Sequence, residues 1–148
     1  MRSLALPIVA SLALSAVLFT SACAERKKIG DCNALIGVMN GAVDRIQHGA
    51  RPAGDAGAGG KELRELATSM DQVAEQTGKL VLSVPELQQH AKDYQAMLRD
   101  IASASRELAT ALEKVDDEQM KGAQTKLESA VQREEPLVET VNKFCRAP

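Results

Sequence analysis

The stretch from Val84 to Val115 constrains the fold of this chain more than any other feature. Apolar or small side chains recur along it at alternating spacings of three and four residues, without a break. Their positions are Val84, Leu87, Ala91, Tyr94, Leu98, Ile101, Ser105, Leu108, Leu112 and Val115. This period predicts one amphipathic helix, about 48 Å long at 1.5 Å per residue. Because such a helix cannot bury its apolar stripe alone, other helices must pack against it.

Three further segments show the same helical period, and none alternates as a strand would. The sequence predicts helices over about Cys32 to His48, Lys61 to Leu82, and Asp116 to Cys145. Asp31 and Asp116 are predicted N-caps, since a carboxylate there can accept from a free backbone amide of the first turn. An aromatic content of only 2% and abundant Ala, Leu, Glu, Lys and Gln also favour helix. The predicted fold class is therefore all-α.

The connections between these helices predict their arrangement. Residues 49–60, GARPAGDAGAGG, are rich in glycine and are predicted to form a flexible loop. Ser83 and Glu86 form a capping-box pattern around Pro85, so the third helix starts directly after the second. Pro136 lies inside the predicted fourth helix. Short turns force antiparallel neighbours, which favours an up-down-up-down four-helix bundle over residues 31–146. A two-helix hairpin that dimerises is the alternative.

Cys32 and Cys145 lie at the same end of such a bundle, both on inward positions. In an oxidising compartment they are predicted to form a disulfide that closes the bundle. A loop of roughly 110 residues would lose chain entropy equivalent to about 4.7 kcal/mol on closure. Two unpaired buried thiols are the alternative. A catalytic redox pair would need a C-x-x-C motif, which the chain lacks.

The leader of the chain has the three parts of a secretory signal. Met1 and Arg2 give a positive start, an apolar run extends from Leu4 to Phe19, and small residues follow. That run is short for a membrane span, which needs roughly 20 residues. The sequence Phe19-Thr20-Ser21-Ala22-Cys23 resembles the lipobox of bacterial lipoproteins, with Thr20 where Leu is usual.

This resemblance implies removal of residues 1–22 and attachment of a diacylglyceryl group to the Cys23 thiol. Residues 23–30 are then predicted to be a lipidated tether, with Arg26, Lys27 and Lys28 in it. Ala24 is not Asp, and in bacterial lipoproteins this implies the outer membrane, facing the periplasm. The alternatives are ordinary secretory cleavage after Ala24 and an uncleaved anchor.

Several kinds of chemistry are not supported by the sequence. The formal net charge of −2, without a clustered basic face in the bundle, argues against nucleic acid as a partner. His48 and His90 are predicted to lie at opposite ends of the bundle, so no metal site is expected. A haem site using Met39 and His90 would lack a C-x-x-C-H motif and aromatic lining. No nucleophile triad or phosphate loop occurs, and we expect no cofactor and no enzymatic activity.

Glu134 is the most unusual residue on an inward stripe. It is predicted to lie level with Tyr94, Val43 and Met70, counting from the cysteine end of each helix. We hypothesise that the Tyr94 hydroxyl bonds either to Glu134 or to the Gln132 carbonyl, whose donor Pro136 lacks. The alternative is that Pro136 kinks the helix and Glu134 turns to solvent.

The sequence thus predicts an envelope lipoprotein that is a non-enzymatic binding, adaptor or structural module with an envelope protein as partner. The alternative is a small-molecule carrier or sensor that uses the bundle core. A pocket near Ala91, Ala104 and Ser105 would favour the carrier, and an exposed apolar strip would favour a protein partner. The end with residues 49–60 and Asp116 is predicted to be the partner surface, since Cys23 holds the other end at the membrane. The oligomeric state is not determined by the sequence.

Overall fold

The computed structural model describes residues 15–49 and 59–147, and the side chains of residues 25–45 and 59–147. These residues form helices and contain no strand, which confirms the all-α prediction. The helices are α1 (Ser15–Gly49), α2 (Gly59–Gly78), α3 (Pro85–Lys114), α4 (Asp117–Val131) and α5 (Glu134–Arg146). Residues 1–14 of the predicted signal peptide and residues 50–58 of the predicted loop lie outside the described residues.

Two helix starts follow the capping pattern of the sequence. Pro85 occupies the first turn of α3, where its missing N–H costs no hydrogen bond. The Asp116 carboxylate accepts from the Gln119 amide at 3.0 Å and so caps α4, as predicted. The predicted Ser83 capping box is wrong, because Val84 is the N-cap residue of α3 and makes no side-chain cap hydrogen bond.

The predicted start of the first helix is also wrong. α1 begins at Ser15 and continues through Asp31, which is therefore not an N-cap. The stretch 23–30, predicted to be a tether, is part of this helix. Ala24, Glu25, Arg26 and the two lysines that follow are all good helix formers, and nothing among them stops the helix. No helix in the described part of the chain is long and apolar enough to cross a membrane.

The predicted second and fourth helices are shorter than expected. α2 ends at Gly78, and residues 79–84 form a non-helical connection to α3. The fourth helix is divided into α4 and α5 by a break at Gln132 and Arg133. Pro136 explains the break, since its ring clashes with the carbonyl of Gln132 four residues earlier and its nitrogen cannot donate.

α3 is the central helix of the structure, because it packs against α2 and α4 along most of its length. Ion pairs join these helices: Arg64, near the start of α2, meets Glu113, near the end of α3, and Lys126 of α4 meets Glu107 of α3. α1 packs against α2 and α5. Asp31 contacts the Ser83 turn, so this turn lies at the disulfide end.

The structure divides naturally into two regions with different cores. We call residues 28–45, 72–99 and 134–147 the disulfide region, and residues 59–71 and 100–133 the alanine region. The disulfide region buries large apolar side chains, including Leu35, Leu87, Tyr94 and Leu98. The alanine region buries mostly small ones. Its buried residues are Ala67, Met70, Ile101, Ala102, Ala104, Ser105, Ala109, Ala111, Ala123 and Ala130.

Several positions of the predicted inward stripes are therefore corrected. Leu112, Val115 and Val131 are 40%, 80% and 46% exposed, although the period places them inside. Alanines on neighbouring faces of α3 and α4 are buried instead, because their small side chains let the helices approach closely. The sequence period found the helices correctly, but it did not find which face each helix buries at this end.

Candidate functional site

The predicted disulfide is present and lies where the first and last helices meet. The Cys32 and Cys145 Sγ atoms are 2.06 Å apart, and the Cα atoms are 5.8 Å apart. Beside the bond, the Lys28 ammonium donates to the Ala147 carbonyl at 2.6 Å and lies 5.0 Å from the centre of the Phe144 ring. The disulfide and these contacts hold the C-terminal end of α5 against α1.

Asp31 has a role that the sequence did not indicate. One of its oxygens, Oδ2, accepts from the Ser83 amide at 2.6 Å, the Ser83 hydroxyl at 2.9 Å and the Val84 amide at 2.9 Å. Asp31 of α1 thus satisfies backbone donors just before α3, although Val84 caps α3 without a side-chain bond of its own. Burial raises the pKa of Asp31, but the bonds from Val84 and Ser83 and the charge of Lys27 outweigh it and lower this pKa below 3.8.

The sequence predicts that Tyr94 of α3 and Glu134 of α5 lie level with each other. Tyr94 is fully buried, and the Glu134 carboxylate is close enough to affect its titration. Burial in the first place, and then the Glu134 charge, raises the pKa of the Tyr94 hydroxyl well above its ordinary value. Burial likewise raises the pKa of Glu134.

No hydrogen bond joins these two groups. The Tyr94 hydroxyl and Glu134 Oε1 are both buried and have no hydrogen-bond partner among residues 25–45 and 59–147. The described residues therefore contain neither the predicted bond from Tyr94 to Glu134 nor the one to the Gln132 carbonyl. Val43 and Glu134 line a common groove of 450 Å³ along α1 and α5, which agrees with their predicted level.

The cavities described below are grooves at the surface and not closed pockets in the core. One groove, of 630 Å³, lies between α3 and α4 beside Ala104. Two ion pairs lie in its lining, Lys126 with Glu107 and Arg133 with Asp100. The Ser105 hydroxyl is buried without a hydrogen-bond partner within the described part of the chain, but Ser105 is not among the residues that line this groove.

The histidines form no ligand site in the described residues. The side chain of His48 lies outside the part of the chain that the structure describes. His90 is half-buried, with its ring 6.1 Å from that of Phe144 in an edge-to-face contact. Within residues 25–45 and 59–147, no three side chains of His, Cys, Asp or Glu gather as a metal site would require.

The turn between α3 and α4 carries an unexpected residue. The Asp116 amide bonds to the Ala111 carbonyl at 3.1 Å and the Val115 amide to the Leu112 carbonyl at 3.2 Å, which is a Schellman motif. Its left-handed position, at φ 54° and ψ 42°, is held by Val115, where Gly or Asn is usual. This backbone conformation is costly for a β-branched residue.

Comparison of the chain with protein-family models, with curated proteins and with solved structures gave no match. The arguments about function therefore rest on the residues themselves. Sequence reasoning found the disulfide. It missed Asp31 as a cap for another helix and Val115 as an exposed residue. The exposure of Val115 could have been predicted from the sequence, because a Val that directly precedes an N-cap Asp must occupy the tight turn between two helices.

Proposed function

We propose that this protein is a bacterial envelope lipoprotein, anchored through a lipid on Cys23 in the outer membrane and facing the periplasm. Two observations support this. The lipobox-like sequence Phe19 to Cys23 supplies a thiol after small residues, and the disulfide between Cys32 and Cys145 fits an oxidising, exported compartment. Mass spectrometry of the mature protein tests it. We expect a chain that starts at Cys23 and carries acyl groups, whereas an unmodified N-terminus after Ala24 would contradict the proposal.

We propose further that the helices form an antiparallel up-down-up-down bundle with α4 and α5 as its fourth element. The ion pairs support antiparallel neighbours, because residue numbers rise along one helix as they fall along its partner. The pairs are Arg64–Glu113 and Asp71–Arg106 between α2 and α3, and Glu107–Lys126 and Asp100–Arg133 between α3 and α4. The end that carries Asp116 and the start of α2 then lies farthest from Cys23. A surface at this end is the one most accessible to another envelope protein.

We propose that the protein acts there as a non-enzymatic binding or adaptor module. The observation that carries this proposal is Val115, which is 80% exposed and adopts a left-handed conformation. Its side chain contributes little to the core, and its backbone conformation costs about 1–2 kcal/mol relative to Gly. Leu112, 40% exposed, lies one turn before it. Together they give an exposed apolar strip where stability alone would favour Gly or Asn, which is consistent with a partner contact.

The test is crosslinking and pull-down from intact envelopes, with the Val115→Asn variant. Asn tolerates the left-handed conformation, so we expect unchanged or higher thermal stability together with weaker capture of the partner. Val81→Asn is the matched control, because Val81 is 97% exposed in the other region of the molecule. Failure of the wild-type protein to capture a reproducible partner would overturn the adaptor proposal.

The second candidate is a small-molecule carrier, favoured by the unpartnered polar atoms of Tyr94 and Glu134. A ligand with both a donor and an acceptor would satisfy them. Native mass spectrometry of protein purified from envelopes tests this. A bound small molecule that is lost in the Tyr94→Phe variant would support the carrier, and an unliganded mass in both proteins would argue against it.

A further inference from the structure

The end of the molecule nearest Cys23 presents basic side chains from two distant parts of the sequence. We call Arg26, Lys27, Lys28, Lys143 and Arg146 the basic face. The first three lie on α1 and the last two on α5. The disulfide between Cys32 and Cys145, and the bond from Lys28 to the Ala147 carbonyl, bring the two helices together. The tertiary structure therefore combines two small basic clusters into one.

The basic face is accessible and carries a net positive charge. Lys28 is half-buried and the other four side chains are exposed. None of the five takes part in an ion pair within residues 25–45 and 59–147, whereas Arg64, Arg106, Lys126 and Arg133 of the alanine region all do.

Basic residues outnumber acidic ones in the segments that form the basic face, and Arg146 shares a groove along α5 with Glu135 and Glu139. Residues 25–31 and 143–147 contain five basic residues and two acidic ones, Glu25 and Asp31. The Asp31 carboxylate accepts bonds from Ser83 and Val84, with Lys27 nearby. Residues 32–142 contain 12 basic and 18 acidic residues. Positive charge is therefore concentrated in residues 26–28 of α1 and in the last turn of α5, and the rest of the chain from residue 32 to residue 142 is net negative.

This charge lies close to the proposed lipid attachment site. Lys28 follows Cys23 by five residues on the same continuous helix, a rise of about 8 Å at 1.5 Å per residue. That distance is about one Debye length at physiological ionic strength, so charged headgroups at the anchor would attract the basic face. Ile29, 53% exposed beside it, adds an apolar contact.

We propose that the basic face binds anionic phospholipid headgroups, so that the disulfide end lies against the bilayer and the Asp116 turn points away from it. The closeness of this face to the membrane rests on the proposed lipidation of Cys23. The proposed diacylglyceryl group already supplies two chains for stable anchoring, so the basic face would set the orientation of the protein on the bilayer. Each basic residue near an anionic surface strengthens partitioning by about fivefold.

The test compares vesicles of phosphatidylcholine alone with vesicles that also contain phosphatidylglycerol, using protein purified from envelopes. Lysine acetylation rates, followed residue by residue with mass spectrometry, report which side chains the bilayer protects. On anionic vesicles at low salt we expect several-fold slower labelling of Lys27, Lys28 and Lys143. Lys121 of the alanine region is the internal control and should label equally on both vesicles. The protection should disappear in 1 M salt.

Two double variants with reversed charges test whether the basic face itself causes the protection. Lys143→Glu with Arg146→Glu should abolish protection of Lys27, whereas Lys114→Glu with Lys121→Glu should leave it intact. Equal labelling of the basic face on both vesicle types would overturn the proposal. Failure of the protein to float with neutral vesicles would instead contradict the lipid anchor, and flotation with anionic vesicles alone would then still support the basic face.

Discussion

The disulfide region and the alanine region show two different ways of stabilising packed helices. In the disulfide region, large side chains such as Leu35, Leu87 and Leu98 are completely buried. Burying such a side chain contributes about 1.5–3 kcal/mol. In the alanine region, seven of the ten buried residues are alanines, each of which buries far less apolar area. The helices there gain less from the hydrophobic effect.

The polar interactions, like the apolar ones, are stronger in the disulfide region than in the alanine region. The disulfide region has a covalent bond and the Asp31 carboxylate, which caps a second helix. All four ion pairs between helices within residues 25–45 and 59–147 lie in the alanine region: Arg64–Glu113, Asp71–Arg106, Glu107–Lys126 and Asp100–Arg133. Exposed ion pairs contribute at most about 1 kcal/mol each and weaken with salt. The proposed partner end therefore has the weaker stabilising interactions of the two regions.

Of the changes considered, removal of the disulfide should lower the unfolding free energy most. We expect the double variant Cys32→Ser, Cys145→Ser to lose up to about 4.7 kcal/mol of unfolding free energy, because the reduced unfolded chain regains its loop entropy. Urea unfolding followed by circular dichroism measures this. The wild-type protein with and without reductant is the control, and a loss below about 1 kcal/mol would show that the disulfide region does not depend on its covalent bond.

Truncation of one leucine in each region should distinguish the two cores. Leu35→Ala should cost about 2–5 kcal/mol, because Leu35 is fully buried and its loss leaves a cavity. Leu112→Ala is the matched substitution in the alanine region and should cost much less, since Leu112 is 40% exposed. Chemical denaturation of both variants checks this. Equal losses would mean that the alanine region is packed as firmly as the disulfide region.

Asp31 should make the disulfide region sensitive to acid. The folded protein holds the pKa of Asp31 below 3.8, so the unfolded chain binds its proton at a higher pH. The stabilisation is therefore complete above pH 3.8 and is lost as the pH falls through the folded value. Asp31→Asn should cost about 1–2 kcal/mol at neutral pH and flatten the acid limb of a stability-against-pH curve. Asp44→Asn, an exposed acid on the same helix, should leave that curve unchanged.

Glu134 should stabilise the folded protein at acid pH, which is the opposite of the effect of Asp31. Burial raises its pKa above 4.5, so the folded protein holds the proton to a higher pH than the unfolded chain does. The stabilisation by the protonated form is complete below pH 4.5 and is lost as the pH rises. Glu134→Gln should therefore slightly raise the melting temperature at neutral pH. Glu135→Gln, its exposed neighbour, is the control, and a lower melting temperature in Glu134→Gln would show that the carboxylate has a stabilising partner.

The ion pairs of the alanine region should contribute least to the unfolding free energy. A double-mutant cycle on Asp71 and Arg106 should give a coupling free energy of about 0.2–1 kcal/mol, because both side chains are partly exposed. The coupling should decrease in 1 M salt, where surface charges are screened. Parallel measurements on Leu35→Ala should show no such salt dependence. A coupling well above 1 kcal/mol would mean that ion pairs are a major source of stability in this region.

Features that depend on residues close in sequence were predictable. The helical periods, the N-cap at Asp116 and the entry of Pro85 into α3 all depend on neighbours within about one turn. Cys32 and Cys145 could be paired because the predicted up-down-up-down order places the two ends of the bundle together. The break before α5 was only half predicted: Pro136 was noted, but whether a proline kinks or interrupts a helix depends on what packs around it.

Sequence alone thus determined that the chain is helical, where most helices begin, and which cysteines pair. Only the tertiary structure decided that Asp31 accepts hydrogen bonds from the amides of Ser83 and Val84, 52 and 53 residues away, because those contacts depend on how α1 and α3 are placed. It also decided that Leu112 and Val115 are exposed while Ala104 and Ala111 are buried. A helix period fixes the spacing of a stripe, but the neighbours that cover the helix, and how closely small side chains let them approach, decide which face is buried.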